Sequence, residues 1–182
     1  VMKAGLASGA HIINDVSALL YDDQALEVLA SSTCPIVLMH FPGPAQTPHA
    51  QDAYHDPLTD VYDWLEARIE AVVKAGIARD RLIADPGIGF GKASAADNLR
   101  LMNGLSLFHG LGVPILLGAS RKRLIAALSD DAPTGKRLGG SIALALKAAE
   151  QGAQIIRVHD VYESAQAIRI WAGHRAVALG RA

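Results

Sequence analysis

The sequence has little cysteine, few aromatic residues and almost no net charge. Cys34 is the only cysteine among 182 residues, so an intrachain disulfide is excluded and a cytoplasmic location is expected. The formal net charge of −1 argues against nucleic acid as the main partner. No apolar run approaches the roughly 20 residues of a membrane-spanning helix, so we expect no membrane partner either.

Hydrophobic residues make up 51% of the chain and charged residues 19%, which is typical of a globular protein with a sizeable core. We therefore expect a single domain over residues 1–182. The sequence starts within what is predicted to be the end of a helix, closed by Gly9. This abrupt start predicts that the domain is truncated at its N-terminus.

Apolar runs alternate with helical patterns along the whole chain. The longest helical pattern begins at Asp56 and Pro57, a cap and first residue, and ends at Gly76. Such alternation indicates βαβ units and a parallel sheet. The predicted strands are residues 11–16, 35–40, 82–85, 115–118 and 155–159.

Two similar stretches favour a closed arrangement of these units. Residues 3–16 (KAGLASGAHIINDV) and 147–161 (KAAEQGAQIIRVHDV) share a helix tail, a glycine, an apolar strand and an Asp-Val exit. Repetition of this kind suits a closed (β/α) barrel, in which each unit meets the next in the same way. An open, doubly wound sheet is the alternative.

The stretch LIADPGIGFGK at residues 82–92 joins a predicted strand to a turn rich in glycine. Asp85 ends the strand, and Pro86 prevents it from continuing. The glycines allow a sharp turn and a close approach of the backbone to a ligand. The stretch matches neither phosphate-binding loop, since GIGFGK is one residue short of the G-x-x-x-x-G-K pattern and also lacks the G-x-G-x-x-G spacing. Asp85 is therefore expected to face a ligand of another kind.

Polar residues gather where the predicted strands end, which is where ligands bind in α/β proteins. Basic residues concentrate after the last two strands, so this end is predicted to hold an anion such as a phosphate. Asp15 has an alternative role as a carboxylate that caps its own loop. His49, Asp52, His55 and Asp56 are spaced poorly for a closed zinc site. The polar residues at the strand ends are Asn14, Asp15, Met39 with His40, Asp85, residues 120–123, Arg157, His159 and Asp160.

Five motifs in this order carry a resemblance to a known family. They are INDV (13–16), LMH (38–40), DPGIGFGK (85–92), GASRK (118–122) and RVHDV (157–161). Together they resemble dihydropteroate synthase, a transferase of folate biosynthesis and the target of sulfonamides. The resemblance implies a TIM-type (β/α)8 barrel of which the last five βα units are present. It also implies condensation of 6-hydroxymethyl-7,8-dihydropterin pyrophosphate with p-aminobenzoate, with release of pyrophosphate.

The resemblance assigns roles to individual residues. Lys122, Arg157 and His159 would be the catalytic residues, with Arg157 and His159 holding the pyrophosphate. Asn14 and Asp85 would hydrogen-bond the pterin ring, which agrees with the ability of a carboxylate to accept from paired N–H donors. Arg123 stands where the family often has a serine near the p-aminobenzoate carboxylate. The full set of implied substrate-binding residues is Asn14, Met39, Asp85, Gly89, Phe90, Lys122, Arg123, Arg157 and His159.

The units that this sequence lacks matter as much as those it contains. In the family they carry a magnesium ligand, so the resemblance implies Mg²⁺ as cofactor but no metal ligand in this chain. It also implies a homodimer. We expect this chain alone to be inactive, because its outer strands would have open edges. The alternatives are a non-catalytic pterin-binding fragment and a methyltetrahydrofolate-binding domain of a methyltransferase.

Overall fold

The computed structural model describes residues 1–41, 54–92 and 94–180. Strands and helices alternate throughout these ranges, as the apolar patterns predict. Short 3-10 helices lie at Arg79–Arg81, Leu105–Leu111 and Thr134–Lys136. The other elements are α1 (Met2–Ala7), β1 (Ile13–Asp15), α2 (Ala25–Ala30), β2 (Ile36–Met39), α3 (Pro57–Lys74), β3 (Leu82–Asp85), α4 (Ala95–Asn103), β4 (Leu116–Leu117), α5 (Arg123–Ala127), α6 (Leu138–Glu150), β5 (Ile155–Ile156) and α7 (Val161–Ala178).

The strands are parallel and lie side by side in the order of the sequence. β1 pairs with β2 and β2 with β3, while β4 pairs with β5. A single parallel bridge between Ala84 and Ile115 joins β3 to the start of β4. A doubly wound sheet reverses its strand order part-way, so this uninterrupted order contradicts that alternative. Among the described residues the sheet does not close, because β1 and β5 each have a strand neighbour on one side only.

The two faces of the sheet are covered differently. Side chains alternate along a strand, so the register places Asn14, Val37 and Ile83 on one face. Val37, Ile83 and Leu116 form a small buried cluster there, with Ile155 packed against it. The opposite face packs on the helices and contributes to the main core, through Ile36, Leu38, Leu82, Ala84, Ile115 and Leu117. A sheet with a large core on its helical face and a small one on the other has the layering of a barrel wall.

Helix α3 illustrates how the sequence pattern sets the packing. Asp56 caps it by accepting a hydrogen bond from the backbone N–H of Leu58 at 2.9 Å, and Pro57 is its first residue. The apolar residues that recur at helical spacing along α3 are all buried: Leu58, Val61, Leu65, Ile69 and Val72. Leu58 also packs against Gly104, where a Cβ atom would lie 2.4 Å from it. Gly104 therefore ends α4 and lets the following segment approach α3.

Some predicted boundaries differ from those observed. The regular pairing of β4 and β5 covers only two residues each, although longer strands were predicted. Helix α4 begins at Ala95, because the Ser94 side chain accepts from the N–H of Asp97 and caps the helix there. His49 and Asp52, which were considered for zinc, lie outside the described residues. None of the described helices is both long and apolar enough to cross a membrane.

Candidate functional site

The Asp85 carboxyl group lies at the end of β3 on the face of the sheet that carries the small cluster. Only 4% of this residue is exposed. Burial raises the pKa of its carboxyl group to about 6. The N–H of Gly87, which donates to Oδ1 at 2.8 Å, and the cations of Lys92, Arg157 and Lys122 oppose that shift. At neutral pH Asp85 is therefore an ionised carboxylate in a poorly hydrated place, as expected of a ligand-binding group.

The turn after Asp85 requires glycine for steric reasons. We call residues 86–92 the glycine loop. Gly87 has a φ of +69°, and a Cβ atom on it would lie 2.2 Å from the backbone oxygen of His40. The backbone N–H of His40 donates to the backbone oxygen of Asp85 at 2.8 Å. The end of β2 and the glycine loop are thus in direct contact, with no room for a side chain between them.

Lys92 ends the glycine loop and is buried beneath it, with 4% of the residue exposed. Its Nζ lies 2.8 Å from His40 Nδ1, 2.8 Å from the Pro86 oxygen and 3.0 Å from the Gly87 oxygen. Burial lowers the pKa of Lys92 to about 7, while the Asp85 charge opposes this. Burial and the nearby Lys92 charge lower the pKa of His40 to about 3, so its ring is neutral and accepts from Lys92.

Asn98 and Lys122 hold the outer part of the glycine loop. The Asn98 carboxamide oxygen accepts from the N–H of Gly89 at 2.7 Å, and its nitrogen donates to the Lys92 oxygen at 3.1 Å. Lys122 lies across the loop, with its Nζ 3.7 Å from the centroid of the Phe90 ring. A Cβ atom on Gly89 would lie 3.2 Å from Lys122 Cδ. Gly89 therefore lets the lysine stem rest directly on the loop backbone.

A cavity of about 250 Å³ opens beside Lys122 at the ends of β4 and β5. Its lining includes no carboxylate in the part of the chain that the structure describes. Lys122, which is half-buried, has its pKa lowered by burial and by the nearby Arg157 charge. The cavity attracts anions because several cations share a small, partly desolvated space. We call it the basic cavity; it is lined by Gly118, Ser120, Arg121, Lys122, Thr134, Arg157 and His159.

Two side chains in the basic cavity are fixed by their neighbours. The Ser120 Oγ lies 3.0 Å from His159 Nδ1 and accepts from the backbone N–H of His159 at 3.2 Å. Arg121 forms an ion pair with Asp160, in which Nε donates at 3.1 Å and Nη2 donates to the other carboxylate oxygen. The Arg121 charge is therefore already compensated. Arg121 lines the basic cavity and is paired with Asp160, and its role toward an anion stays a prediction.

The structure brings most of the residues implied by the resemblance to one edge of the sheet. Met39 is buried and lies beside Asp85 in the register of β2 and β3. Asn14 lies on the same sheet face but is exposed. Arg123, the first residue of α5, is exposed and does not line the basic cavity. Asp15 caps its own loop, since its carboxylate accepts from Ser17 Oγ and the Leu19 N–H, each at 2.6 Å. The roles of these residues toward a substrate stay predictions.

The residues at this edge are poorly suited to a metal ion. Within residues 1–41, 54–92 and 94–180, no group of three or more His, Cys, Asp or Glu side chains is placed to hold one. The basic cavity would repel a divalent cation, and Asp85 is surrounded by lysine and arginine charges. Asp56, one of the residues considered for zinc, pairs with Arg100 instead.

The sequence and the fold of this chain have counterparts among known proteins. The family model described as pterin binding enzyme matches residues 1–159. The chain belongs to the pterin binding enzyme family. The motifs INDV, LMH, DPGIGFGK, GASRK and most of RVHDV fall within the matched range, which therefore includes the residues that form this site.

Individual pterin binding enzymes are similar over nearly the whole chain. The dihydropteroate synthase of Escherichia coli is 41% identical over 170 residues, which cover 93% of this chain and 59% of that protein. The Xanthomonas albilineans dihydropteroate synthase bound to 7,8-dihydropteroate is 43% identical, with a TM-score of 0.88 over 97% of this chain and 65% of the other. The same enzyme with 4-aminobenzoic acid gives 44% identity, a TM-score of 0.89 and coverage of 97% and 62%. The chain thus spans about three fifths of the length of these relatives.

Several residues of the site were not indicated by the sequence. Lys92 and Asn98 are separated from the strand ends, and neither residue type by itself indicates burial. Thr134 falls in a segment rich in Gly, Asp and Pro, a composition that indicates a break between helices and not a binding site. One available signal was the excess of glycine before Lys92, since a loop that tight brings its closing residue back beneath the strand end.

Proposed function

We propose that this chain forms the pterin- and pyrophosphate-binding part of a dihydropteroate synthase. One observation carries the proposal: the ionised, buried Asp85 on its glycine loop lies at the same sheet edge as the basic cavity. Such an edge accommodates a flat heterocycle with N–H donors at one end and an anionic leaving group at the other. The substrates would be 6-hydroxymethyl-7,8-dihydropterin pyrophosphate and p-aminobenzoate.

The pterin would bind at the Asp85 carboxylate and the glycine loop. The Asp85 carboxylate accepts the paired N–H donors of the aminopyrimidinone edge, and its pKa of about 6 keeps it ionised at neutral pH. The glycines let the backbone approach the ring. Met39 and Phe90 supply apolar contacts beside it, and Asn14 supplies a polar one. This arrangement orients the substrate and excludes water from the reacting carbon.

The pyrophosphate end would be the basic cavity. Arg157, His159 and Lys122 stabilise the charge that develops on the leaving oxygen as the C–O bond to the pterin methylene breaks. The amino nitrogen of p-aminobenzoate then attacks the methylene cation and releases its proton to solvent. In such a dissociative step the C–O bond breaks before the amine attacks. Stabilisation of the leaving group by fixed cations is then sufficient, and no general base is required. We place the p-aminobenzoate carboxylate toward Arg123, at the start of α5.

Further proposals follow from the likeness to longer relatives. The five parallel strands of the described residues would form part of a (β/α)8 barrel that is completed by residues outside this sequence. We propose that the 182-residue chain binds ligands without turnover, that magnesium accompanies the pyrophosphate with its protein ligand outside this chain, and that the whole enzyme is a cytoplasmic homodimer. A turnover assay of the isolated chain with dihydropterin pyrophosphate, p-aminobenzoate and Mg²⁺ tests the proposed absence of turnover.

Calorimetric titration of the chain with 6-hydroxymethyl-7,8-dihydropterin and with pyrophosphate tests the proposed function. A synthase binds both ligands. A methyltetrahydrofolate-binding relative has no pyrophosphate to bind in a basic cavity, so it binds only the pterin. Arg157→Ala should abolish the pyrophosphate signal and leave pterin binding measurable. Arg169→Ala, which removes an exposed arginine from α7, is the matched control and should change neither. Failure of the unmodified chain to bind either ligand would overturn the proposal.

A further inference from the structure

Lys92 has a bonding pattern that only its charged form satisfies. Its Nζ is within 3.0 Å of three atoms: the Pro86 oxygen, the Gly87 oxygen and His40 Nδ1. Two of them are carbonyl oxygens, which only accept, and the neutral His40 ring accepts through Nδ1 when Nε2 carries the proton. All three partners are thus acceptors, and an ammonium group offers three donors.

These contacts attach the turn after Asp85 to the neighbouring strand. Lys92 holds the carbonyl groups of Pro86 and Gly87, and the N–H of Gly87 donates to the Asp85 carboxylate at 2.8 Å. The His40 ring that completes the set sits edge-on against Trp64, with centroids 4.9 Å apart. The lysine therefore determines where the Gly87 amide points, and that amide orients the carboxylate.

The charge of Lys92 also acts on Asp85 directly. An ionised carboxylate that is removed from water requires a compensating charge. Lys92, Arg157 and Lys122 all stabilise the ionised form of Asp85. Arg157 and Lys122 line the basic cavity, where a bound anion competes for them, while Lys92 lies below the glycine loop and outside that lining.

We propose that Lys92 is a positioning residue of the pterin site, which clamps the glycine loop to His40 and serves as a counter-charge of Asp85 for which a bound anion does not compete. This deepens the proposed function and rests on it for the identity of the ligand. A lysine that only supported the fold would stabilise the chain without changing the ionisation of Asp85. The two roles are therefore separable by experiment.

The experiment follows the Asp85 carboxyl carbon by ¹³C NMR against pH in the unmodified chain, Lys92→Met and Lys92→Gln. Both variants remove the charge, and the glutamine keeps N–H donors for the loop carbonyl groups. The other groups that face Asp85 are Lys122, Arg157 and the Gly87 amide, which both variants retain. We expect the Asp85 midpoint to rise by about one pH unit or more. At pH 6.5 a rise of one unit lowers the ionised fraction of Asp85 about threefold, so the affinity for 6-hydroxymethyl-7,8-dihydropterin should fall about threefold or more.

Lys74→Met, at the exposed end of α3, is the control and should leave both readouts unchanged. An Asp85 midpoint that stays constant in folded Lys92→Met or Lys92→Gln overturns the proposal. Should neither variant fold, the reciprocal measurement decides: Asp85→Asn must lower the pKa of Lys92, followed by ¹⁵N NMR, and an unchanged value refutes the pairing. Loss of pterin binding by the unmodified chain, with the Asp85 shift intact, would instead count against the proposed function.

Discussion

Arg121 and Asp160 form a two-point ion pair that ties the loop after β4 to the loop after β5. Arg121 has a φ of +56°, and its backbone is held by further hydrogen bonds. Its N–H donates to Ser141 Oγ at 2.9 Å, and its carbonyl oxygen accepts from Arg137 at 3.0 Å. The neighbours of this pair, Lys122 and His159, line the basic cavity. The ion pair therefore fixes the two segments that would hold an anion.

Removing only one member of this pair should harm anion binding more than removing both. In Arg121→Met the Asp160 carboxylate loses its partner and repels a bound anion. We expect pyrophosphate affinity to fall roughly three- to tenfold. In the double variant Arg121→Met/Asp160→Asn that repulsion is gone, so most of the affinity should return. Calorimetric titration with pyrophosphate measures both.

Asp63→Asn, on the exposed side of α3, removes one carboxylate far from the basic cavity and serves as the control. The double variant could instead bind pyrophosphate as weakly as Arg121→Met alone. In that case the connection between the two loops matters, and the unpaired Asp160 charge does not. Comparison of the single and the double variant therefore separates the two contributions of the ion pair.

Gly118 should control the position of the Arg157 guanidinium. A Cβ atom on Gly118 would lie 3.2 Å from Arg157 Nη2 and 3.3 Å from its Nε. The guanidinium is the flexible end of its side chain, so Gly118→Ala should displace it without unfolding the chain. We expect several-fold weaker pyrophosphate binding and a nearly unchanged Tm. In Gly139→Ala the new methyl group meets open space on α6, so binding should be unchanged and the chain more stable by up to about 1 kcal/mol.

The architecture could be predicted from the sequence because it depends on local patterns. The period of 3.6 residues identified every buried residue of the α3 stripe, and Asp56 with Pro57 marked where that helix begins. Asp85 ends β3 as predicted, since Pro86 cannot continue a strand. The short pairing of β4 and β5 was not predictable, because apolar runs show the tendency to form a strand and not the length over which neighbours pair.

The contacts within the site could not be predicted, because they join residues that are distant in sequence. Lys92 and His40 are 52 positions apart, and their contact requires the register of β2 against β3. Arg121 and Asp160 are 39 positions apart. A charge pattern shows that Arg121 is basic but not that its charge is already paired. The sequence therefore indicated the members of the site, and the fold determines which of them are available to a ligand.

The close contact between Gly87 and His40 predicts a large effect of a single methyl group. Gly87→Ala places Cβ 2.2 Å from the His40 backbone oxygen, at a φ of +69°. Gly76 also has a positive φ, of +95°, but no atom of the described residues lies within 4 Å of its Cβ position. Gly76→Ala therefore measures the backbone strain without the steric clash. We expect Gly76→Ala to cost about 1–2 kcal/mol of unfolding free energy. Gly87→Ala should cost roughly 2 kcal/mol more, because backbone must move.

Urea unfolding of the two glycine variants measures this difference. Gly87→Ala should also weaken pterin binding, since the Gly87 N–H that orients Asp85 is displaced, whereas Gly76→Ala should bind normally. Equal losses of stability in the two variants would show that the loop moves away from His40 at little cost.

The contributions of Asp85 and His40 to the unfolding free energy should change with pH in opposite directions. The pKa of Asp85 is about 6 in the folded chain against an ordinary 3.8, so between these values the folded state holds the extra proton. Its contribution to the unfolding free energy therefore falls as pH rises through that window. The pKa of His40 is about 3 against 6.5, so there the unfolded state holds the extra proton and the contribution rises with pH.

Single variants should expose these two opposed contributions between pH 4 and pH 6. His40→Gln retains the Asp85 contribution, so relative to the unmodified chain its unfolding free energy should fall by about 2 kcal/mol as pH rises across the window. Asp85→Asn retains the His40 contribution, so its relative unfolding free energy should rise by a similar amount. Urea unfolding at half-unit pH intervals measures both, with the His109→Gln variant as a control for an exposed histidine. Parallel curves for all four proteins would mean that neither buried group changes its ionisation on folding, and slopes of the same sign would refute the assigned directions.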